Sequence, residues 1–87
     1  MLKAMMKLIL EAAAVDREFV ERHTVGFEEL RASLEPLSFE ALVQASGVPE
    51  AQVRAAAQLA IESKATICCW AMGLTQHKHG VANVQEV

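Results

Sequence analysis

Residues 64–80, KATICCWAMGLTQHKHG, decide how this chain can fold. Ala65–Trp70 is an uncharged run of β-branched, sulfur-containing and aromatic side chains. A short apolar run of this kind, bounded by polar residues and glycine, is typical of a fully buried strand in a parallel sheet. Gly73 is predicted to end the strand. The polar residues Thr75–His79 predict a loop after it, which Gly80 closes, and Val81 begins a further helix. A strand followed by a polar loop and a helix is the layout of a ligand site at the carboxyl end of a parallel strand.

No second stretch of the 87 residues has the composition of a strand. The sequence therefore predicts a mainly α fold, a small bundle of about five short helices with at most one or two short strands at Ala65–Trp70. A parallel strand needs neighbours on both sides. We therefore interpret residues 1–87 as a single fragment of a larger α/β domain.

The composition also favours the interpretation as a fragment of a larger domain. Hydrophobic residues make up 53% of the chain, whereas a chain this short buries only about 60% of its unfolded surface. Part of the apolar surface must then face another chain or a missing part of its own, so we expect self-association as a dimer. The formal net charge of −3 disfavours nucleic acid as a partner, because nucleic-acid binders usually carry a basic face.

The two cysteines, Cys68 and Cys69, are adjacent in the predicted strand. Neighbouring side chains of a strand point to opposite faces, which disfavours a disulfide between them. Buried reduced cysteines favour a cytoplasmic location. No stretch is long and apolar enough to predict a membrane span or a membrane partner. The first helix carries Lys3, Lys7 and Glu11 at four-residue spacing, which a signal peptide does not. Its other faces are apolar, which predicts a helix buried on most sides.

Helices are predicted throughout the first 63 residues. Asp16 and Ser38 are the predicted N-caps of the second and fourth helices. Gly47 is a predicted left-handed C-cap, and Pro49 opens the most amphipathic helix. The predicted solvent-facing polar stripe of that helix is Glu50, Arg54, Gln58 and Glu62. In order, the predicted helices are Leu2 to Ala14, Asp16 to Arg22, Phe27 to Leu34, Phe39 to Ala45, and Pro49 to about Ser63.

The sequence contains the outlines of two alternative sites. The fourth and fifth helices with Gly47 have the outline of a helix-turn-helix, but Val43 stands where a small residue is wanted and the chain is acidic, which disfavours DNA binding. Cys68 and Cys69 with the loop histidines lack the spacing of a structural zinc site. No nucleophile, base and orienting group occur together. The sequence thus predicts no catalytic residue and no metal site, and leaves the loop from Met72 to His79 as the candidate site.

Residues 64–87, KATICCWAMGLTQHKHGVANVQEV, resemble a segment of the molybdopterin-dependent oxidoreductases, specifically the formate dehydrogenase alpha subunits and their close paralogues. Their W-G-M-G-x-T-Q-H element stands here as Trp70 to His77, with Ala71 in place of the glycine. Upstream, DREFVERHTVGFEELRASL (residues 16–34) is similar to the family's D-x-x-F-x-x-x-x-T-x-G-F-E stretch. SGVPEAQVRAAAQLAIESKATI (residues 46–67) is similar to the helix that leads into its strand.

The resemblance implies that the chain is a fragment of a catalytic alpha subunit in which the remaining polypeptide is the partner. It implies a cofactor in the full-length enzyme, molybdopterin guanine dinucleotide with molybdenum or tungsten, and none bound to the fragment. The cofactor-binding residues carried over are Met72, Gly73, Thr75 and Gln76. The parent protein would be an oxidoreductase that oxidises formate or a related substrate, and the isolated segment would be inactive. The alternative is a stand-alone small helical interaction protein.

Overall fold

The computed structural model describes Met1–Val87, and 64% of these residues lie in seven helices with no β-strand. The predicted mainly α fold is confirmed. The helices are α1 (Leu2–Glu11), α2 (Arg17–His23), α3 (Phe27–Leu34), α4 (Phe39–Ser46), α5 (Glu50–Glu62), α6 (Met72–Thr75) and α7 (Gly80–Gln85).

The predicted caps of the central helices are confirmed. The Asp16 carboxylate accepts a hydrogen bond of 2.9 Å from the backbone N–H of Phe19, and the Ser38 hydroxyl accepts one of 3.2 Å from that of Ala41. Each bond satisfies an N–H that the first helical turn leaves free. Gly47 ends α4 with a φ of 68°, a conformation that is free of steric cost for glycine alone. These signals are local in sequence, which is why they locate the helix ends.

The core is small and centres on the first helix. Ala4, Phe39 and Val53 pack together where α1 meets α4 and α5. Leu34 and Ala57 are the other two buried residues of the chain. The remaining apolar residues of α1 are only half-buried, although its composition predicted a helix covered on most sides. The chain has too few neighbouring elements to cover them.

Polar contacts hold the helices in place around this core. The Lys7 ammonium donates to the backbone carbonyls of Leu34 at 3.3 Å and Glu35 at 3.1 Å. The Leu34 carbonyl also accepts from the N–H of Leu37 at 3.1 Å, so the cation adds a second donor there and faces the negative end of the α3 dipole. The outer face of α5 carries the predicted polar stripe, in which Arg54 pairs with Glu50 at 2.8 Å. Arg54 also lies 4.6 Å over the ring of Phe39.

The first helix ends three residues earlier than predicted. Ala13 has a φ of 52°, the only non-glycine residue with a positive φ. The N–H of Ala13 donates to the carbonyl of Leu10 at 3.0 Å, and the N–H of Ala14 donates to that of Ile9 at 3.1 Å. This pair of bonds is the Schellman motif, in which a left-handed residue closes the helix. The motif usually has glycine at this position, so alanine gave no signal in the sequence.

The predicted buried strand at Ala65–Trp70 is wrong for this chain. The segment has no regular secondary structure, and every residue in it is exposed, with Ile67 at 87% and Trp70 at 52%. Both predicted buried cysteines, Cys68 and Cys69, are exposed. A strand forms only when another strand accepts its backbone hydrogen bonds, and these 87 residues provide none. Gly73, expected to end the strand, lies inside α6.

The molecule is less compact than its length allows. Its accessible surface is 6747 Å², whereas a compact monomer of this mass exposes about 5,000 Å². The radius of gyration is 13.4 Å, against about 12 Å for a compact domain of this length. The excess surface is consistent with the exposed segment between α5 and α6.

Candidate functional site

The candidate loop is partly helical. Residues expected to form an irregular loop after the strand instead form α6, a single turn from Met72 to Thr75. The N–H of Gln76 donates to the carbonyl of Met72 at 2.8 Å, and the N–H of Leu74 donates to that of Ala71 at 3.0 Å. Residues 76–79 then lead directly into α7. The turn therefore has a defined backbone although it lies at the surface.

The second half of the site is held by a close contact that sequence reasoning missed. A Cβ placed on Gly80 would overlap the backbone carbonyl of Thr75, so α7 starts against the end of α6. The side-chain amide of Asn83 reaches the carbonyl of Leu74 at 3.5 Å, the long limit of a hydrogen bond. The only sequence signal is the glycine itself, whose position predicts the end of a loop. Gly80 and Asn83 together fix the α6–α7 hairpin, by which we mean residues 72–85.

All four predicted cofactor-binding residues lie on this one turn. Met72, Gly73, Thr75 and Gln76 are exposed, Met72 at 65%. The hydroxyl of Thr75 and the side-chain amide of Gln76 make no hydrogen bond within the chain. A hydroxyl and an amide can both donate and accept, so two adaptable polar groups face solvent on the same turn.

Gly73 differs from the other glycines of the chain. No atom lies within 4 Å of the position that its Cβ would occupy, and its φ is not positive. Neither backbone conformation nor internal packing therefore requires glycine there. What glycine provides at this position is a bare stretch of backbone that an outside group can approach closely.

A surface hollow of about 440 Å³ adjoins the turn. The rings of His77 and His79 lie 6.2 Å apart on its rim, and the hollow is lined by Thr75, His77, Lys78, His79, Gly80, Val81, Ala82 and Gln85. No group of three or more His, Cys, Asp or Glu side chains in the chain is arranged to hold a metal ion. The hollow offers hydrogen-bonding and cationic groups.

An ion pair links the hairpin to the helical body. Lys3 of α1 and Glu86, directly after α7, form an ion pair of 3.1 Å. It is the one salt bridge between α1 and the residues that follow α6. An exposed pair of this kind contributes about 1 kcal/mol or less, so the hairpin is the less firmly held part of the molecule.

A second cavity and a carboxylate with a lowered pKa lie away from the turn. A cavity of about 370 Å³ between α1, α2 and α3 has Leu10, Phe27 and Leu34 in its wall with Arg17 and Arg31 at its edge, and no residue of the α6–α7 hairpin lines it. A lowered pKa is found at Glu40, where its own backbone N–H and then the Ser38 hydroxyl stabilise the carboxylate. These groups cap α4 and belong to its structure.

Comparison with known proteins indicates the class of proteins to which the chain is similar. No protein-family model matches the chain, and no solved structure matches it. Its sequence is similar to one segment of proteins named as oxidoreductases, formate dehydrogenases among them. The likeness extends over more than nine-tenths of the chain.

Three relatives illustrate the match. An uncharacterised oxidoreductase of Mycobacterium tuberculosis is 39% identical over 87 residues, which cover 93% of this chain and 11% of that protein. Protein YdeP of Escherichia coli is 35% identical over 97 residues, covering the whole chain and 13% of YdeP. Formate dehydrogenase H of Escherichia coli is 34% identical over 87 residues, again covering the whole chain and 12% of the enzyme. The chain thus spans about a tenth of the length of these relatives.

No helix of the structure has both the length and the apolar character that a membrane crossing requires.

Proposed function

We propose that this chain is a segment of the catalytic alpha subunit of a formate dehydrogenase-like molybdopterin oxidoreductase. In it, the turn from Met72 to Gln76 contacts the pterin cofactor. The observation that carries the proposal is the likeness to formate dehydrogenase H over the whole chain. The exposed, hydrogen-bond-free polar groups of the turn support the choice of contact residues.

The residues present fit a polar, flat cofactor edge. The open backbone beside Gly73 allows close approach, and Gln76 can donate to and accept from a pterin ring in one plane. Thr75 adds a hydroxyl on the same turn, and the exposed Met72 supplies an adaptable apolar contact. The cofactor would be molybdopterin guanine dinucleotide with molybdenum or tungsten, which supplies the two-electron chemistry of formate oxidation. The 87 residues provide no catalytic side chain of their own, so their part is to hold and orient the cofactor.

The remaining polypeptide of the subunit is the proposed partner. Ten large apolar side chains of this small chain are exposed, among them Leu59, Ile67 and Val81. Contact with the rest of a longer subunit would bury them, which is favourable by about 25 cal/mol per Å² of apolar surface removed from water. The relatives are long enough to supply that contact, since the matched segment is about a tenth of them.

The same exposed side chains favour one alternative, a small helical protein that binds partners through apolar contacts. A helix-turn-helix function in DNA binding is less favoured. The Arg54 guanidinium on the outer face of α5 is engaged by Glu50 and by the ring of Phe39. The chain also carries a net negative charge. Under the oxidoreductase proposal we expect a cytoplasmic protein.

A segment exchange tests the proposal. Residues 1–87 would replace the matching 87-residue segment of Escherichia coli formate dehydrogenase H, and the metal content and formate-dependent dye reduction of the chimera would be measured. Retained metal and activity support the proposal. A folded chimera that binds no metal overturns it.

The contact residue is tested in the same chimera. Loss of one cofactor hydrogen bond, worth about 1.4 kcal/mol, predicts that Gln76→Ala lowers cofactor occupancy or turnover about tenfold. Gln52→Ala is the matched control, because Gln52 is exposed on α5 and its side chain makes no hydrogen bond. Equal metal content and equal rate in the two variants would remove Gln76 from the site.

A further inference from the structure

The segment between α5 and α6 has an unpaired backbone. From Thr66 to Trp70, no backbone N–H or C=O group makes a hydrogen bond within the chain. The flanking residues Ser63 and Ala71 are in the extended region of φ and ψ. An apolar stretch with a free row of donors and acceptors, lying between two extended residues, is a template for pairing with another strand.

We propose that Thr66–Trp70 pairs with the same segment of a second copy, forming a two-stranded antiparallel ladder across a twofold axis. Such an interface uses one patch on both copies, and each residue meets its partner reciprocally. The inference concerns the 87-residue chain by itself, because in a longer subunit the remaining polypeptide would compete for the same segment, which includes Ile67.

Charge selects the antiparallel direction. Lys64 is the only charged residue between Ser63 and His77. Parallel pairing in register would place the Lys64 side chains of the two copies beside each other, and like charges directly opposite are destabilising. Antiparallel pairing places Lys64 near the uncharged Ala71 end of the partner. No acidic side chain lies in the segment to offset a parallel arrangement.

The chain as a whole has more exposed surface than a compact monomer, enough to supply a dimer interface. The chain exposes about 1,700 Å² more than a compact monomer of its mass, whereas a standard interface covers about 800 Å² on each partner. Ile67 and Trp70 supply apolar side chains whose β propensity is high. A two-stranded ribbon by itself is marginal in water, so we expect association at micromolar concentration with fast exchange.

Sedimentation velocity between 1 and 100 μM tests the proposal, together with circular dichroism over the same range. We expect a monomer–dimer equilibrium. Because the monomer has no strand, a strand signal that grows with concentration would come from the ladder. A monomer of 9.5 kDa at every concentration overturns the proposal.

Proline variants locate the interface. Ile67→Pro and Cys68→Pro each remove one N–H, and successive N–H groups of a strand point to opposite edges. One of the two variants should therefore weaken dimerisation at least tenfold, and both should keep the helical signal because neither N–H is bonded in the monomer. Leu59→Ser is the matched control, since Leu59 is a large exposed apolar residue on α5. A dimer that survives both prolines, or one that Leu59→Ser abolishes, overturns pairing through this segment.

Discussion

Replacing Ala13 by glycine should stabilise the protein, although it removes a methyl group. Ala13 holds a φ of 52° at the end of α1. The left-handed conformation costs a residue with a Cβ about 1–2 kcal/mol. Glycine avoids that cost, but it loses more conformational freedom on folding, which lowers the free energy of unfolding by about 0.5–1 kcal/mol. The net expectation for Ala13→Gly is a gain of about 0.5–1 kcal/mol in the free energy of unfolding.

The neighbouring residue is a control of opposite sign. Ala12 has a φ of −74° and a ψ of −3°, an ordinary helical conformation in which glycine has no steric advantage. Ala12→Gly should therefore lower the free energy of unfolding by about 0.5–1 kcal/mol. Urea unfolding followed by circular dichroism measures both variants. In thermal unfolding, Ala13→Gly should raise Tm by about 3–6 °C.

The comparison has a clear refuting result. If Ala13→Gly destabilises the chain as much as Ala12→Gly does, α1 does not end in a left-handed residue at position 13. The pair of bonds from Ala13 and Ala14 to Leu10 and Ile9 would then not describe the protein in solution.

Three further predictions concern the caps, the core and the hairpin. Ser38→Ala should cost about 1 kcal/mol of stability and should raise the pKa of Glu40, which NMR titration measures. Because the pKa of Glu40 is lowered on folding, its carboxylate stabilises the fold above its ordinary pKa. That stabilisation is lost as the pH falls through the pKa of the folded state. Val53→Ala should lower the free energy of unfolding by about 2 kcal/mol because Val53 is fully buried. Val25→Ala is the control: this side chain is 99% exposed, so its loss should change the free energy of unfolding by no more than about 0.5 kcal/mol. Equal values from urea unfolding would show that the core is misplaced. Gly80→Ala should speed hydrogen exchange in α6 and α7 because its Cβ overlaps Thr75, and Gly73→Ala, with open space at its Cβ, should leave exchange in the isolated chain unchanged or slower.

Short-range signals in the sequence predicted most of the helical body. The side chains of Asp16 and Ser38 accept hydrogen bonds from the N–H three residues later, and Gly47 adopts its φ through its own backbone. None of these local effects depends on the rest of the fold. α3 occupies the predicted residues Phe27–Leu34. The four-residue spacing of Glu50, Arg54, Gln58 and Glu62 predicted the outer face of α5, where two side-chain contacts form.

The features that were missed depend on distant or absent groups. The apolar run at Ala65–Trp70 has the composition of a strand, but pairing requires a second strand that composition cannot supply. The close approach of Gly80 to Thr75 depends on how two short helices meet, which no residue pattern encodes. The choice of Met72, Gly73, Thr75 and Gln76 as cofactor contacts came from resemblance and remains a prediction.

Ala4 sets a limit on how this chain can change. Its side chain is wholly enclosed between Phe39 and Val53, so only glycine or serine matches its volume. A larger residue would push α1 outward and cost about 1–3 kcal/mol. α1 also carries Lys7, bonded to the end of α3, and Lys3, paired with Glu86 after α7. One methyl group thus determines the spacing on which the α3 end and the attachment of the α6–α7 hairpin both depend, and variation at position 4 would be felt at the candidate site.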